Sequence, residues 1–140
     1  MRSRVGQTLL AAAAVGWLVT LVFASRAVFP VGSVICHQRP ERSFVVRGQQ
    51  LAVCARCTGL YTGAAIAAPL AIIGASAVAA SRARRVLLFA AVPTAATWTL
   101  EFAGGLQFSN TARFVAALPL GFVAAWLVVQ TLQADQPSAR

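Results

Sequence analysis

The chain has 140 residues, of which 59% are hydrophobic and only 11% are charged. Soluble domains carry roughly 25% charged residues, and a domain this short could not bury so much apolar surface in water. The net charge of +9 comes from arginines scattered between apolar runs, which fits anionic headgroups and argues against nucleic-acid binding. We therefore predict an all-α membrane protein of about four transmembrane helices, a single membrane domain over residues 1–140.

The first predicted helix covers about residues 8–29. Its run Thr8–Ser25 carries no charge, and a span needs about 20 apolar residues. Arg2 and Arg4 before this run, and small residues near its end, also fit a signal peptide. Because more membrane segments follow, we interpret the run as an uncleaved first transmembrane helix.

A polar loop over residues 30–56 follows. The three cysteines and the single histidine of the chain all lie between residues 36 and 57, in this loop and directly after it. Two β-prone stretches, Ser43–Val46 and Gln50–Val53, flank Arg47-Gly48, a pattern that predicts a small hairpin. Closing this hairpin would bring the Cys36 end of the loop beside the second cysteine motif.

The cysteines and the histidine predict a metal site. Cys₃His is one of the standard ligand sets of zinc, so zinc is the expected cofactor, and the candidate ligands are Cys36, His37, Cys54 and Cys57. Because Cys36 and His37 are adjacent, one ion would use only one of them comfortably. A structural site and a three-ligand, catalytic type of site therefore both stay open, and so does the question of whether the protein is an enzyme.

Two other function classes stay open beside the metal site. Cys54 and Cys57 form a Cys-x-x-Cys pair at a helix start, which is typical of thiol–disulfide oxidoreductases. Arginines beside the cysteines offer bidentate contacts to a phosphate or carboxylate, which indicates a transporter or lipid-handling protein for an anionic substrate; these residues are Arg39, Arg42 and Arg56. Ordinary contact with lipid headgroups explains the same arginines.

Three further helices are predicted at about residues 57–80, 86–103 and 112–132, with a basic turn at Ser81–Arg85. The second predicted helix opens with small residues at a spacing of four, a pattern that lets two helix backbones approach closely in lipid; these are Gly59, Gly63 and Ala67. Each of the three later helices contains one proline, which membrane helices tolerate when neighbouring helices satisfy the freed carbonyls.

An acidic residue, Glu101, falls within the third predicted helix. Acidic groups in a membrane are costly and are usually paired, and Arg113 at the start of the fourth helix is the expected partner, with Asn110 nearby. The pair would clamp the two helices, or it would line a substrate or proton path.

The arginines are nearly balanced between the two sides. The short turn with Arg82, Arg84 and Arg85 places both termini in the cytoplasm and the cysteine loop on the extracytoplasmic side of the cell membrane. The expected partner is the lipid bilayer, and a homo-oligomer or a membrane-protein partner stays an open alternative.

The loop also resembles an uncharacterised family of small prokaryotic multi-pass membrane proteins, through Cys-His-Gln-x-Pro-x-Arg-Ser followed by Cys-x-Arg-Cys-x-Gly-x-Tyr. The residues that carry this resemblance are Cys36, His37, Gln38, Pro40, Arg42, Ser43, Cys54, Arg56, Cys57, Gly59, Tyr61 and Gly63, with a later Asn110 and Arg113. The resemblance implies a multi-pass membrane protein and no particular activity.

Overall fold

A computed structural model describes residues 2–74 and 79–134 of the chain. Within them the structure is mainly helical, and its longest segment outside the α-helices is the polar loop over residues 36–54. The helices are α1 (Arg2–Phe23), α2 (Ser25–Ile35), α3 (Ala55–Ile73), α4 (Ala80–Gly104) and α5 (Asn110–Ala134). The loop between α2 and α3 contains a 3₁₀ turn (Pro40–Arg42) and two short strands, β1 (Val45–Val46) and β2 (Gln49–Gln50).

Four of the helices in the described part of the chain are long and apolar enough to cross a membrane. Their candidate spans are Arg4–Phe23, Ala55–Ile73, Ser81–Gly104 and Asn110–Leu132. The predicted all-α membrane fold, with a small hairpin in the loop that holds the cysteines, is thereby confirmed.

The first predicted helix, about residues 8–29, is two helices in the structure, and the loop begins only at Cys36. The helix breaks at Ala24, and the buried Ser25 hydroxyl donates to the Gln50 carbonyl at 3.1 Å. This break lets α2 pack Val28 and Phe29 onto the buried cluster that also contains Leu21 of α1. The apolar pattern continues through the break, so the sequence alone does not reveal it.

The other helix boundaries shift by a few residues. Helix α3 begins at Ala55, two residues before the predicted start, and ends at Ile73, whereas residues 75–78 of the prediction lie outside the described part. Helix α4 begins at Ala80, so the predicted basic turn forms its first turns instead. Alanine and arginine are among the best helix formers, and no glycine or proline interrupts this stretch.

Helices α3 and α5 cross with their backbones in direct contact. A Cβ atom on Gly59 or Gly63 would overlap the carbonyl oxygens of Phe114 and Leu118, and one on Gly121 would overlap the Leu60 carbonyl. We call Gly59, Gly63 and Gly121 the glycine seam. The predicted small-residue face of α3 is this packing surface, because in lipid helices associate through close packing rather than through a hydrophobic effect.

Helices α1 and α4 flank this central pair. Helix α1 packs mainly on α3, whereas α4 packs on α5, where the Thr94 hydroxyl donates to the Ala116 carbonyl at 2.8 Å. Most of α4 is exposed, so this helix presents a long apolar surface to the surrounding lipid.

Candidate metal centre

A tight hairpin sets the geometry of the cysteine loop. Strands β1 and β2 are antiparallel, with Val45 opposite Gln50 and Val46 opposite Gln49. The two residues between them, Arg47 and Gly48, both have positive φ, at 54° and 73°, as a type I′ turn requires. The hairpin reverses the chain, so that residues 51–54 return toward the end of α2.

Gln38 fastens this returning segment to α2. Its Nε2 donates to the Phe29 carbonyl at 2.6 Å and to the Ala52 carbonyl at 2.9 Å, while Gln50 donates back to the Gln38 carbonyl at 2.7 Å. Gly32 allows the close approach, because a Cβ atom there would overlap the Ala52 carbonyl oxygen. Cys36, at the end of α2, is thereby held against the start of α3.

The three cysteines form one compact group. The Sγ atoms of Cys36, Cys54 and Cys57 all lie within 4.8 Å of one another, and the Cys54 backbone N–H donates to the Cys36 sulfur at 3.1 Å. In a tetrahedral site with Zn–S bonds of about 2.3 Å, neighbouring sulfurs are roughly 3.8 Å apart. The three thiols therefore need only a small contraction to hold one zinc ion.

His37 lies apart from this group. Its side chain is exposed, and its ring nitrogens are not among the atoms within 4.8 Å of one another, although the residue lines the same cavity as the cysteines. Adjacent residues in an extended segment point to opposite sides, and Cys36 has the extended backbone (φ −149°, ψ 147°) that turns His37 away. Of the four candidate ligands, the structure brings together the three cysteines.

The surroundings of Cys54 favour its thiolate. The neighbouring Cys57 thiol, together with the backbone N–H groups of Cys57 and Arg56 and the Cys36 thiol, lowers the pKa of Cys54 to about 5, although burial acts in the opposite direction. Cys54 immediately precedes α3, and the positive end of a helix dipole also stabilises a thiolate. A thiolate is the form that binds a metal ion.

A buried ion-pair network lies beside the cysteines. Glu101 of α4 accepts from Arg56 Nη2 and from Arg113 Nε, each at 2.7 Å, and the Glu101 side chain is only 3% exposed. We call Glu101, Arg56 and Arg113 the arginine clamp. It joins α3, α4 and α5, and its net charge is +1.

Asn110 connects the clamp to the loop. Its Oδ1 accepts from Arg113 at 2.8 Å, and its Nδ2 donates to the Ser43 carbonyl at 3.0 Å. The expected Glu101–Arg113 pair with Asn110 nearby is thus present, whereas Arg56 as a second partner of Glu101 was missed. The only hint in the sequence is that Arg56 is the one basic residue in the first turn of α3.

A cavity of about 590 Å³ is lined by residues of the loop, α3 and α4. All three cysteines line it, and so do His37 and the three arginines suggested as anion ligands. Its remaining lining residues are one further arginine and five residues that are mostly apolar: Arg113, Ile35, Leu60, Thr94, Trp98 and Phe102. The structure therefore places the predicted metal ligands and the predicted anion ligands around one space.

Residues 36–127 match the model of a family described as "Predicted membrane protein (DUF2085)". The chain belongs to this family. An uncharacterized protein of Methanocaldococcus jannaschii, MJ1492, is 35% identical over 108 residues, which are 76% of this chain and 67% of the relative. An uncharacterized protein of Methanothermobacter thermautotrophicus is 34% identical over 93 residues, 62% of this chain and 78% of the relative. No solved structure matches the chain.

The match to the DUF2085 family begins at Cys36 and extends into α5. It therefore contains the three-cysteine group, the arginine clamp and the glycine seam. The family description calls its members predicted membrane proteins, which agrees with the four candidate spans, and it names no activity.

Proposed function

We propose that this chain is a membrane metalloprotein that binds one zinc ion through Cys36, Cys54 and Cys57. The observation that carries the proposal is the approach of three sulfur atoms, from two separate parts of the chain, to within 4.8 Å of one another. The hairpin, the Gln38 hydrogen bonds and the start of α3 all contribute to this approach. Cysteines that did not bind a common partner would not need three separate features of the fold to bring their sulfur atoms together.

The residues around the group suit a metal centre with three protein ligands. Cys36 is buried, and the partly exposed Cys54 and Cys57 line the cavity, which leaves one side of the group accessible. Zinc sites with an open fourth position are catalytic in type, and the ion acts there as a Lewis acid. The basic residues beside the group favour the thiolate form of the cysteines.

Metal and thiol content of the same purified sample test the proposal. In detergent, the wild-type protein should contain about one zinc per chain and three alkylatable thiols after unfolding in chelator. The Cys54→Ser/Cys57→Ser double variant should lose the zinc, whereas His37→Ala, a substitution next to Cys36 but outside the sulfur group, should retain it. An unchanged zinc content in the double variant would show that the proposal is wrong.

A second candidate function is thiol–disulfide exchange. Cys54 and Cys57 are a Cys-x-x-Cys pair at the start of α3, and the Cys36 sulfur is close enough to both to act as a third partner. A wild-type sample without zinc and with one free thiol would favour this function, because the other two thiols would then form a disulfide.

A further inference from the structure

The cavity beside the cysteines has an excess of positive charge. Four arginines line it, whereas Glu101 is the acidic residue that pairs with two of them: the lining arginines are Arg39, Arg42, Arg56 and Arg113. Across residues 2–74 and 79–134, neither Arg39 nor Arg42 has a carboxylate within 4.0 Å. Three thiolates on one Zn²⁺ add a charge of −1, so two positive charges still face the cavity.

The opposite wall of the cavity is apolar and faces lipid. Thr94, Trp98 and Phe102 follow one another at intervals of four on α4, so they lie along one face of that helix. Trp98 is 55% exposed and Phe102 is 81% exposed. Because α4 is long and apolar enough to span a membrane, the surface beside these two side chains faces the bilayer.

The cavity also lies at the depth where headgroups and acyl chains meet. Cys54 immediately precedes α3, Glu101 lies in the last turn of α4, and Arg113 lies in the first turn of α5. Trp98, one turn deeper, is a side chain typical of membrane interfaces. The exposed apolar residues of the short helix α2, Val34 among them, indicate that this helix also lies in the interface.

We propose that this cavity binds an anionic amphiphile. Its phosphate or carboxylate group contacts Arg39 and Arg42, and its hydrocarbon tail leaves past Trp98 and Phe102 into the bilayer. This inference names the ligand class of the proposed zinc site and rests on that site for any reaction, whereas the binding itself needs only the arginines and the apolar wall. Guanidinium groups bind both phosphate and carboxylate in bidentate fashion.

Lipid binding to the full chain in detergent, followed by native mass spectrometry, tests the proposal. The probes are phosphatidylglycerol, which is anionic, and phosphatidylcholine with the same acyl chains, which is zwitterionic. Wild-type protein should retain phosphatidylglycerol selectively. The Arg39→Ala/Arg42→Ala variant should bind it at least roughly tenfold more weakly, because it loses two charge-assisted contacts to the headgroup.

A matched control removes two exposed arginines that lie elsewhere at the same end of the molecule. Arg26 is on α2, and Arg47 in the hairpin turn stacks on Phe23; neither lines the cavity. The Arg26→Ala/Arg47→Ala variant has the same net charge as the test variant and should bind phosphatidylglycerol as the wild type does. An equal loss in both variants would overturn the proposal, because it would show general attraction of headgroups to a basic surface.

Two further measurements complete the test: a competition with inorganic phosphate identifies the source of the anion, and a zinc count tests the role of zinc. Inorganic phosphate, added at the concentration of the lipid, should not displace phosphatidylglycerol. Displacement would overturn the proposal that the ligand is an amphiphile and would indicate a free anion. Zinc is counted on every sample. Zinc without lipid selectivity would overturn this inference alone, whereas selective lipid binding without zinc would support it and contradict the proposed metal centre.

Discussion

The glycine seam and the arginine clamp both hold α3 against α5, but they do so by opposite means. The seam brings backbones into contact by removing side chains, and it uses no charge. The clamp uses long charged side chains and joins three helices at their loop ends. The seam fixes how the helices cross, whereas the clamp is part of the wall around the cysteines.

The difference follows from the depth of each region. Within hydrocarbon, helix association depends on close packing and on small residues, and unpaired charges are costly. Near the headgroups charges are tolerated, but Glu101 and Arg113 are almost completely buried and still require each other. The membrane-embedded part is therefore specified by shape, and the candidate site is specified by charge and hydrogen bonds.

Replacement of the clamp's acid should have the largest effect on stability. Glu101→Gln would leave Arg56 and Arg113 buried without a counter-charge, and breaking a buried pair in this way costs about 3–5 kcal/mol. We expect a large fall in the thermal unfolding midpoint in detergent. Glu41→Gln is the matched control, since this exposed side chain has no ion-pair partner within 4.0 Å among the described residues. Equal unfolding midpoints for Glu101→Gln and Glu41→Gln would contradict the stabilising role of the arginine clamp.

Filling the glycine seam should have an intermediate effect. In Gly63→Ala, the new methyl group would meet backbone atoms of Leu118, Gly121 and Phe122, and overpacking of this kind costs about 1–3 kcal/mol. Gly16→Ala in α1 is the control, because nothing lies within 4 Å of its Cβ position and alanine is the better helix former. Thermal unfolding should show a loss of stability for the first variant alone; a loss in neither would show that the helices do not cross this closely.

The hairpin turn should give the smallest effect. Gly48 has a φ of +73° and no atom near its Cβ position, so Gly48→Ala costs only the strain of a left-handed residue, about 1–2 kcal/mol at most. We expect faster loss of zinc to a chelator with little change in thermal stability, because the turn positions Cys54 relative to Cys36. Arg47→Asn should not accelerate zinc loss, since asparagine tolerates positive φ. Equal rates of zinc loss in the wild type, Gly48→Ala and Arg47→Asn would show that the hairpin turn does not control the metal centre.

The regular features of the molecule were predictable, whereas most of the contacts between distant parts of the chain were not. Hydropathy predicts four spans, the spacing of Gly59 and Gly63 predicts a packing face, and the β-prone stretches around Gly48 predict the hairpin. Each signal comes from neighbouring residues. The helix partner of that packing face is α5, with Gly121 opposite it, and no local pattern in the sequence identifies this partner.

The candidate site shows the same limit. The sequence predicts that the cysteines meet, because they flank one hairpin and are close along the chain. The pairing of Arg56 with Glu101 joins residues 45 positions apart, and it depends on how α3 and α4 lie relative to α5. The position of His37 depends on the direction of the chain after α2, which follows from the Ala24 break and the Gln38 hydrogen bonds.

X-ray absorption at the zinc edge tests the central claim most directly, because it reports the atoms bound to the metal. For the purified wild-type protein we predict three sulfur ligands at about 2.3 Å and one nitrogen or oxygen ligand at about 2.0–2.2 Å. The spectrum should be the same for His37→Ala, since that side chain lies outside the sulfur group. A spectrum with fewer than three sulfur ligands, or one that loses its light-atom ligand in His37→Ala, would contradict a three-cysteine centre that is open to the cavity.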